Sequence, residues 1–145
     1  MLKEVHTSAF SIRTCDPDDA EAVLTLWQQA DATVSVTDTA EDIRKATIEH
    51  SLHFLVGEAD RRIVASIIGT FDGWRGNIYR LVVHPSYRRR GFARALVREI
   101  GNRFAKQGVK RVTALVEKDH PWAMAFWKAV GYDLDQRMAR FVLNL

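Results

Sequence analysis

The stretch from Arg80 to Arg94, Arg-Leu-Val-Val-His-Pro-Ser-Tyr-Arg-Arg-Arg-Gly-Phe-Ala-Arg, constrains this chain more than any other. It opens as an apolar, β-branched run, which reads as the end of a buried strand. Pro85 stops that strand because proline has no amide hydrogen for a ladder. Arg88, Arg89 and Arg90 follow, then Gly91, then Leu96, Ile100 and Phe104 at helical spacing. The order is therefore strand, basic loop, glycine, helix. It sets the free amides of a helix N-terminus, and the positive end of its dipole, beside a strand end. Gly91 lets a ligand come close to the backbone, and the guanidinium groups complete an anion site suited to phosphate or pyrophosphate.

Arg88-x-x-Gly91-x-Ala93 resembles the Arg/Gln-x-x-Gly-x-Gly/Ala signature of the GNAT acyltransferases. As in that family, it follows a Val-Val-His-Pro strand end and opens a helix. The resemblance implies that Arg88, Arg89, Arg90, Gly91, Phe92, Ala93 and Arg94 hold the pyrophosphate of acetyl-CoA.

Composition narrows the alternatives. At 145 residues, with 47% hydrophobic residues, the chain fits one domain with a real core. No apolar run approaches the roughly 20 residues of a membrane span. The first residues, Met-Leu-Lys-Glu-Val-His, lack the apolar core of a signal peptide. One cysteine, Cys15, cannot form an internal disulfide, and a cytoplasmic location is the expectation. Nothing near Cys15 activates it, and an acidic segment follows. The net charge of +3 is mild and gathers at Arg88–Arg90, Arg94 and Arg98, which suits a polyanionic cofactor.

Read in order, the chain predicts a strand from Phe10 to Thr14. A helix starts at Asp16-Pro17 and runs to about Ala30, with a second through Ile43 and Ile48 to about His50. Strands follow at Leu52–Gly57, Ile63–Phe71 and Ile78–His84, the last two joined by a glycine-bearing hairpin. The helix after Gly91 ends near Gln107, with Gly108 just past it. A fifth strand covers Val109–Val116, and a last helix begins at Pro121 with Ala123, Phe126 and Val130 inward. Leu134–Leu145 reads as one or two closing strands. The order β-α-α-β-β-β-α-β-α-β(β) predicts an α/β fold with a mixed sheet. It contains an antiparallel meander and a parallel pair formed by the fourth and fifth strands. The same order is that of the GNAT family, so the resemblance covers nearly the whole chain, 1–145, as one domain.

The family's fourth and fifth strands splay around the pantetheine arm, which implies main-chain binding by Leu81, Val82 and Val83. The segment from His120 to Tyr132 resembles the family's Asn-x-x-Ala-x-x-Phe-Tyr-x-x-x-Gly-Phe helix. It places His120, Phe126 and Trp127 at the cofactor. Trp127 stands where a tyrosine commonly protonates the leaving thiolate; an indole N–H donates a hydrogen bond but does not give up its proton. Trp127 therefore packs, either against the pantetheine or in the core. Glu117, Tyr79 and His120 are the candidate catalytic groups. Trp27, Asp31, Asp38, Asp42, Asp72 and Trp74 are candidate acceptor contacts, acidic and aromatic groups together suiting a cationic amine.

The resulting expectation is an acetyl-CoA-dependent N-acetyltransferase acting on a small-molecule amine or a protein amino group, with no metal. A homodimer is one arrangement open to it. The alternative is a CoA-binding sensor or partner module without chemistry, motivated by Trp127 and by Asn77, where the strand lacks a carboxylate. A nucleic-acid binder ranks last, because a second basic stripe and interleaved aromatics are missing.

Overall fold

The computed structural model describes residues 9–49 and 52–145, so the expectations for the first six residues and for a helix reaching His50 fall on residues outside it. The chain divides after Ala114 into two compact units. The first holds β1 (Ser11–Thr14), a 3-10 turn (Pro17–Asp19), α1 (Ala20–Gln29), α2 (Ala40–Thr47), β2 (Leu52–Ala59), β3 (Arg62–Phe71), β4 (Gly76–Val83), a second 3-10 turn (Pro85–Tyr87), α3 (Phe92–Lys106) and β5 (Val112–Ala114). The second holds α4 (Pro121–Ala129).

The five strands form one mixed sheet in the order β1-β2-β3-β4-β5. The first three pairings are antiparallel, and β4 pairs β5 in parallel. The β2–β3 hairpin closes through Asp60 and Arg61, both left-handed with φ of 52° and 61°, as a two-residue type I′ turn requires. One face of the sheet packs Val23, Leu26 and Trp27 of α1 and Ile43 of α2 against Phe54 and Val56, with Ile68 and Val82 alongside. The other face takes α3. Leu96, Ile100 and Phe104 are buried on its inner side, each worth about 1.5–3 kcal/mol of burial. Gly69 and Gly76 let α3 sit close, since a Cβ on Gly69 would lie 2.9 Å from Ile100 Cδ1 and one on Gly76 3.0 Å from Phe104.

The predicted mixed sheet with its antiparallel meander and parallel β4/β5 pair is present. Three predicted elements come out differently. β5 spans only Val112–Ala114, in part because the N–H of Val109 is taken by the Phe104 carbonyl at the end of α3. The helix α2 stops at Thr47. Residues 134–145 form no strand: the N–H of Arg137 bonds the Asp135 side chain, while Phe141, Val142 and Leu143 are exposed. Apolar, strand-like composition needs a ladder partner to become a strand, and among the described residues none pairs with this segment.

Candidate active site

The basic loop is held from below. His84 Nδ1 accepts the N–H of Ser86 at 3.1 Å and starts the Pro85–Tyr87 turn. Tyr87 is buried, and its hydroxyl donates to Asp60 at 2.8 Å, which keeps the proton on the phenol and pushes its pKa up. Its ring stacks on Phe92, and Phe92 stacks on Phe10. Arg90 lies over the Tyr87 ring, 5.1 Å from the centroid, and Arg88 Nε donates to the Val83 carbonyl at 3.3 Å. Arg89 and Gly91 are left-handed, with φ of 64° and 82°. Gly91 is the N-cap of α3 and has no side chain to cap the first-turn amides of Phe92, Ala93 and Arg94. A Cβ on Gly91 would meet nothing within 4 Å. Uncapped amides, open space and three exposed guanidinium groups make a cradle that fits a diphosphate.

β4 is built to leave backbone groups open. Among the described residues it pairs β5 only at Gly76, Asn77 and Ile78, and from Tyr79 to Val83 no described strand pairs its edge away from β3. Towards β3, Ser66 faces Val82 and Ile68 faces Tyr79, so β4 bulges by one residue between these pairs. Arg80 sits in the bulge with φ of 52°. Tyr79 shares the α1–α2 face with Ile68 and is partly exposed. Leu81, Val82 and Val83 are likewise half-buried, with Val82 and Val83 also filling core.

The candidate acceptor contacts divide. Trp27 is a core residue: its indole N–H donates to Ser66 Oγ at 2.9 Å. Asp38 is paired with Arg80, whose Nη2 lies 2.8 and 2.7 Å from the two carboxylate oxygens. Asp31 terminates α1 in a left-handed conformation, φ 54°. Asp42 accepts the Thr39 hydroxyl at 2.9 Å, part of the α2 cap. Asp72 is a turn residue, its Oδ1 accepting the N–H groups of Arg75 and Trp74, which hold its carboxyl below the ordinary range. Asp72 and exposed Trp74, with Arg75 stacked 4.1 Å over it, lie in the β3–β4 turn, at the opposite end of β4 from the basic loop. The structure thus separates these two from the cradle. Arg80 and Ser66 were missed, although a lone charge in the run Ile-Tyr-Arg-Leu-Val-Val was the available signal.

In the second unit, His120 Nε2 and Glu117 Oε2 are 2.6 Å apart, and the His120 ring leans on Trp122 at 5.5 Å. Trp127, not the expected Ala123, Phe126 and Val130, is the buried residue of α4; those three are only partly covered. It meets Tyr132 edge-on at 4.8 Å and Phe126 at 5.6 Å. Burial pushes the Tyr132 phenol up. Burial also pushes the Cys15 thiol up to about 12, so Cys15 carries no thiolate near neutral pH.

Residues 20–132 match the model of the acetyltransferase (GNAT) family. An acetyltransferase of Yersinia pestis is 34% identical over 122 residues, covering 84% of this chain and 86% of that one. The N-acetyltransferase PaiA of Thermoplasma acidophilum, solved with coenzyme A, superposes with a TM-score of 0.81 at 15% identity over 88% of this chain and 91% of that one. Aminoglycoside N-acetyltransferase AAC(6′)-Iy, also with CoA, gives 0.81 at 15% identity over 99% and 100%. With a cradle that fits a diphosphate at the head of α3 and a family match across most of its length, this chain belongs to the GNAT acetyltransferase family and is an acetyl-CoA-dependent acyltransferase.

Proposed function

We propose that the protein acetylates a primary amine by direct attack within a ternary complex. The observation that carries this reading is the uncapped amino-terminus of α3 behind left-handed Gly91, flanked by Arg88, Arg89 and Arg90. These residues, with Phe92, Ala93 and Arg94, would hold the diphosphate. The open edge of β4 at Leu81, Val82 and Val83 would hold the amide-bearing arm as if it were an added strand. Acetyl-CoA supplies an acetyl group on a thioester. Main-chain N–H groups on that edge would donate to the thioester carbonyl oxygen and stabilise negative charge developing there. Positioning the two reactants supplies much of the rate, which does not require a dedicated acid.

An alkylammonium must lose its proton before it can attack. We assign proton removal to water, with Glu117 and its hydrogen-bonded partner His120 as the protein groups able to carry it onward. Trp127 packs and keeps its N–H proton, and Tyr79 contributes contact rather than proton transfer. An amine acceptor is supported by the name of the aminoglycoside N-acetyltransferase that shares the fold. The test is acetylation of amines followed by mass spectrometry with acetyl-CoA present: a single added acetyl group on a primary amine supports the reading, and intact amines across a broad panel refute it.

A further inference from the structure

Arg80 is the one charged residue inside β4, and a single indole holds it at both ends. Its guanidinium lies over the Trp27 ring, 4.9 Å from the centroid. Its carbonyl accepts from Ser66 Oγ at 3.0 Å, and Ser66 Oγ in turn accepts the Trp27 N–H at 2.9 Å. Ser66 is fully buried, so this relay runs through the core. From the outside, Asp38 takes the guanidinium at 2.7 Å, with only 8% of its own side chain exposed. Asp38 also accepts the Ser35 N–H at 3.1 Å and directly precedes Thr39, the cap of α2. One residue of β4 therefore fastens the α1–α2 link.

That arrangement is an expensive way to make a plain strand. A left-handed φ strains any residue with a Cβ, and glycine would adopt it freely. A desolvated ion pair is seldom better for stability than apolar packing. Arg80 carries both costs within the open edge of β4, directly before Leu81, Val82 and Val83. Strain of this kind persists only where the surroundings over-determine it. Here they do, through three neighbours of one residue: Trp27, Ser66 and Asp38.

We infer that Arg80 is a positioning residue for acetyl transfer: the ring Trp27–Ser66–Arg80, closed from outside by Asp38, holds the left-handed turn that aims the main chain of Leu81, Val82 and Val83. The inference rests on the acetyl-transfer reading for what those groups bind. A misaimed amide misses the developing charge while the diphosphate cradle, built from other residues, remains intact. Because the same main chain also holds the amide-bearing arm, the larger effect belongs in kcat and a smaller one in acetyl-CoA affinity.

Two variants separate this from plain packing. Trp27→Phe keeps a ring under Arg80 and removes the N–H that feeds Ser66. Arg80→Gly accepts φ of 52° and removes the tether. Each should lower kcat by between about tenfold and a hundredfold, with acetyl-CoA affinity falling by clearly less than kcat and the amine KM within about twofold of wild type. Arg80→Lys, which restores a cation for Asp38, should recover part of the loss. Unchanged kcat in folded Trp27→Phe overturns the inference, and so does a loss confined to cofactor affinity or to amine KM. Should Arg80→Gly not fold, Trp27→Phe carries the test. If wild type turns over no amine, the acetyl-transfer reading is what fails. Amide NMR then still decides the placement: Trp27→Phe must displace the Leu81–Val83 signals and leave Ala93 in place, and unmoved Leu81–Val83 signals overturn it.

Discussion

At position 91 any side chain is strained, because φ is 82°, although the space around it is open. Gly91→Val would therefore confound blocked binding with a damaged loop. Ala93 is the better place to test the cradle, being one of the uncapped first-turn residues of α3. A glutamate there suits the helix dipole and presents a carboxylate where the diphosphate would lie. Ala93→Glu should keep or slightly raise the melting temperature and weaken acetyl-CoA binding at least about tenfold, or roughly 1.4 kcal/mol. Titration calorimetry beside a thermal melt checks both halves. Cys15 gives a second test at this scale. Because burial pushes its thiol up to about 12, iodoacetamide at pH 8 should label it only as the protein unfolds. Rapid labelling of native protein would show that the site is more open than described. For Trp127, buried against Tyr132 and Phe126, replacement by Phe should leave the shape of the pH–rate profile unaltered.

Among the elements, the start of the first helical segment shows how much local sequence can decide. Asp16, Pro17 and Asp19 were readable as a helix start, and the structure has the reciprocal cap: the Asp18 N–H donates to Asp16 Oδ1 at 2.9 Å and the Asp16 N–H to Asp19 Oδ2 at 2.8 Å. What the sequence did not show was Arg13, which donates to Asp19 at 2.6 and 2.9 Å and also to Glu58, tying β1 to the cap and to β2. The Arg13 guanidinium, joined by the Asp16 N–H, holds the Asp19 carboxyl below the ordinary carboxylate range. A depressed folded pKa means stability that is present above the unfolded value, about 3.9, and lost as pH falls through the folded one. The melting-temperature gap between wild type and Asp19→Asn should therefore be widest near neutral pH and close below pH 4. A gap independent of pH would remove the charge from the explanation. The α3–sheet contact is governed by shape. A side chain on Gly69 would press on Ile100 and Phe104, so Gly69→Val should cost about 1–3 kcal/mol in a denaturant melt.

For the molecule as a whole, periodicity and punctuation settled the element order through α4, because strands between turn signals and capped helices are local events. The cradle was legible for the same reason: Arg88 to Arg94 is one continuous stretch. The bulge at Arg80, the Ser66 relay and the fastening of Asp38 were not legible, since each joins residues from 14 to 42 positions apart. That Asp72 and Trp74 lie at the opposite end of β4 from the basic loop was not legible either, because composition says nothing about which end of a strand a turn occupies. Residues 134–145 were misread because strand propensity does not supply a neighbour. Among the described residues no helix is long and apolar enough to cross a membrane.

The proposed chemistry makes one demand on the whole protein, that the amine lose its proton to water before attack. Rates should then rise with pH towards each amine's own pKa, and Glu117→Gln should cost at most about tenfold, roughly 1.4 kcal/mol of barrier. The most direct measurement is the initial rate of CoA thiol release from acetyl-CoA across a panel of primary amines of differing pKa, each run over a range of pH. The account predicts release that requires an amine and profiles that shift with the amine used. Tight acetyl-CoA binding with no amine raising CoA release above the rate in buffer would contradict it.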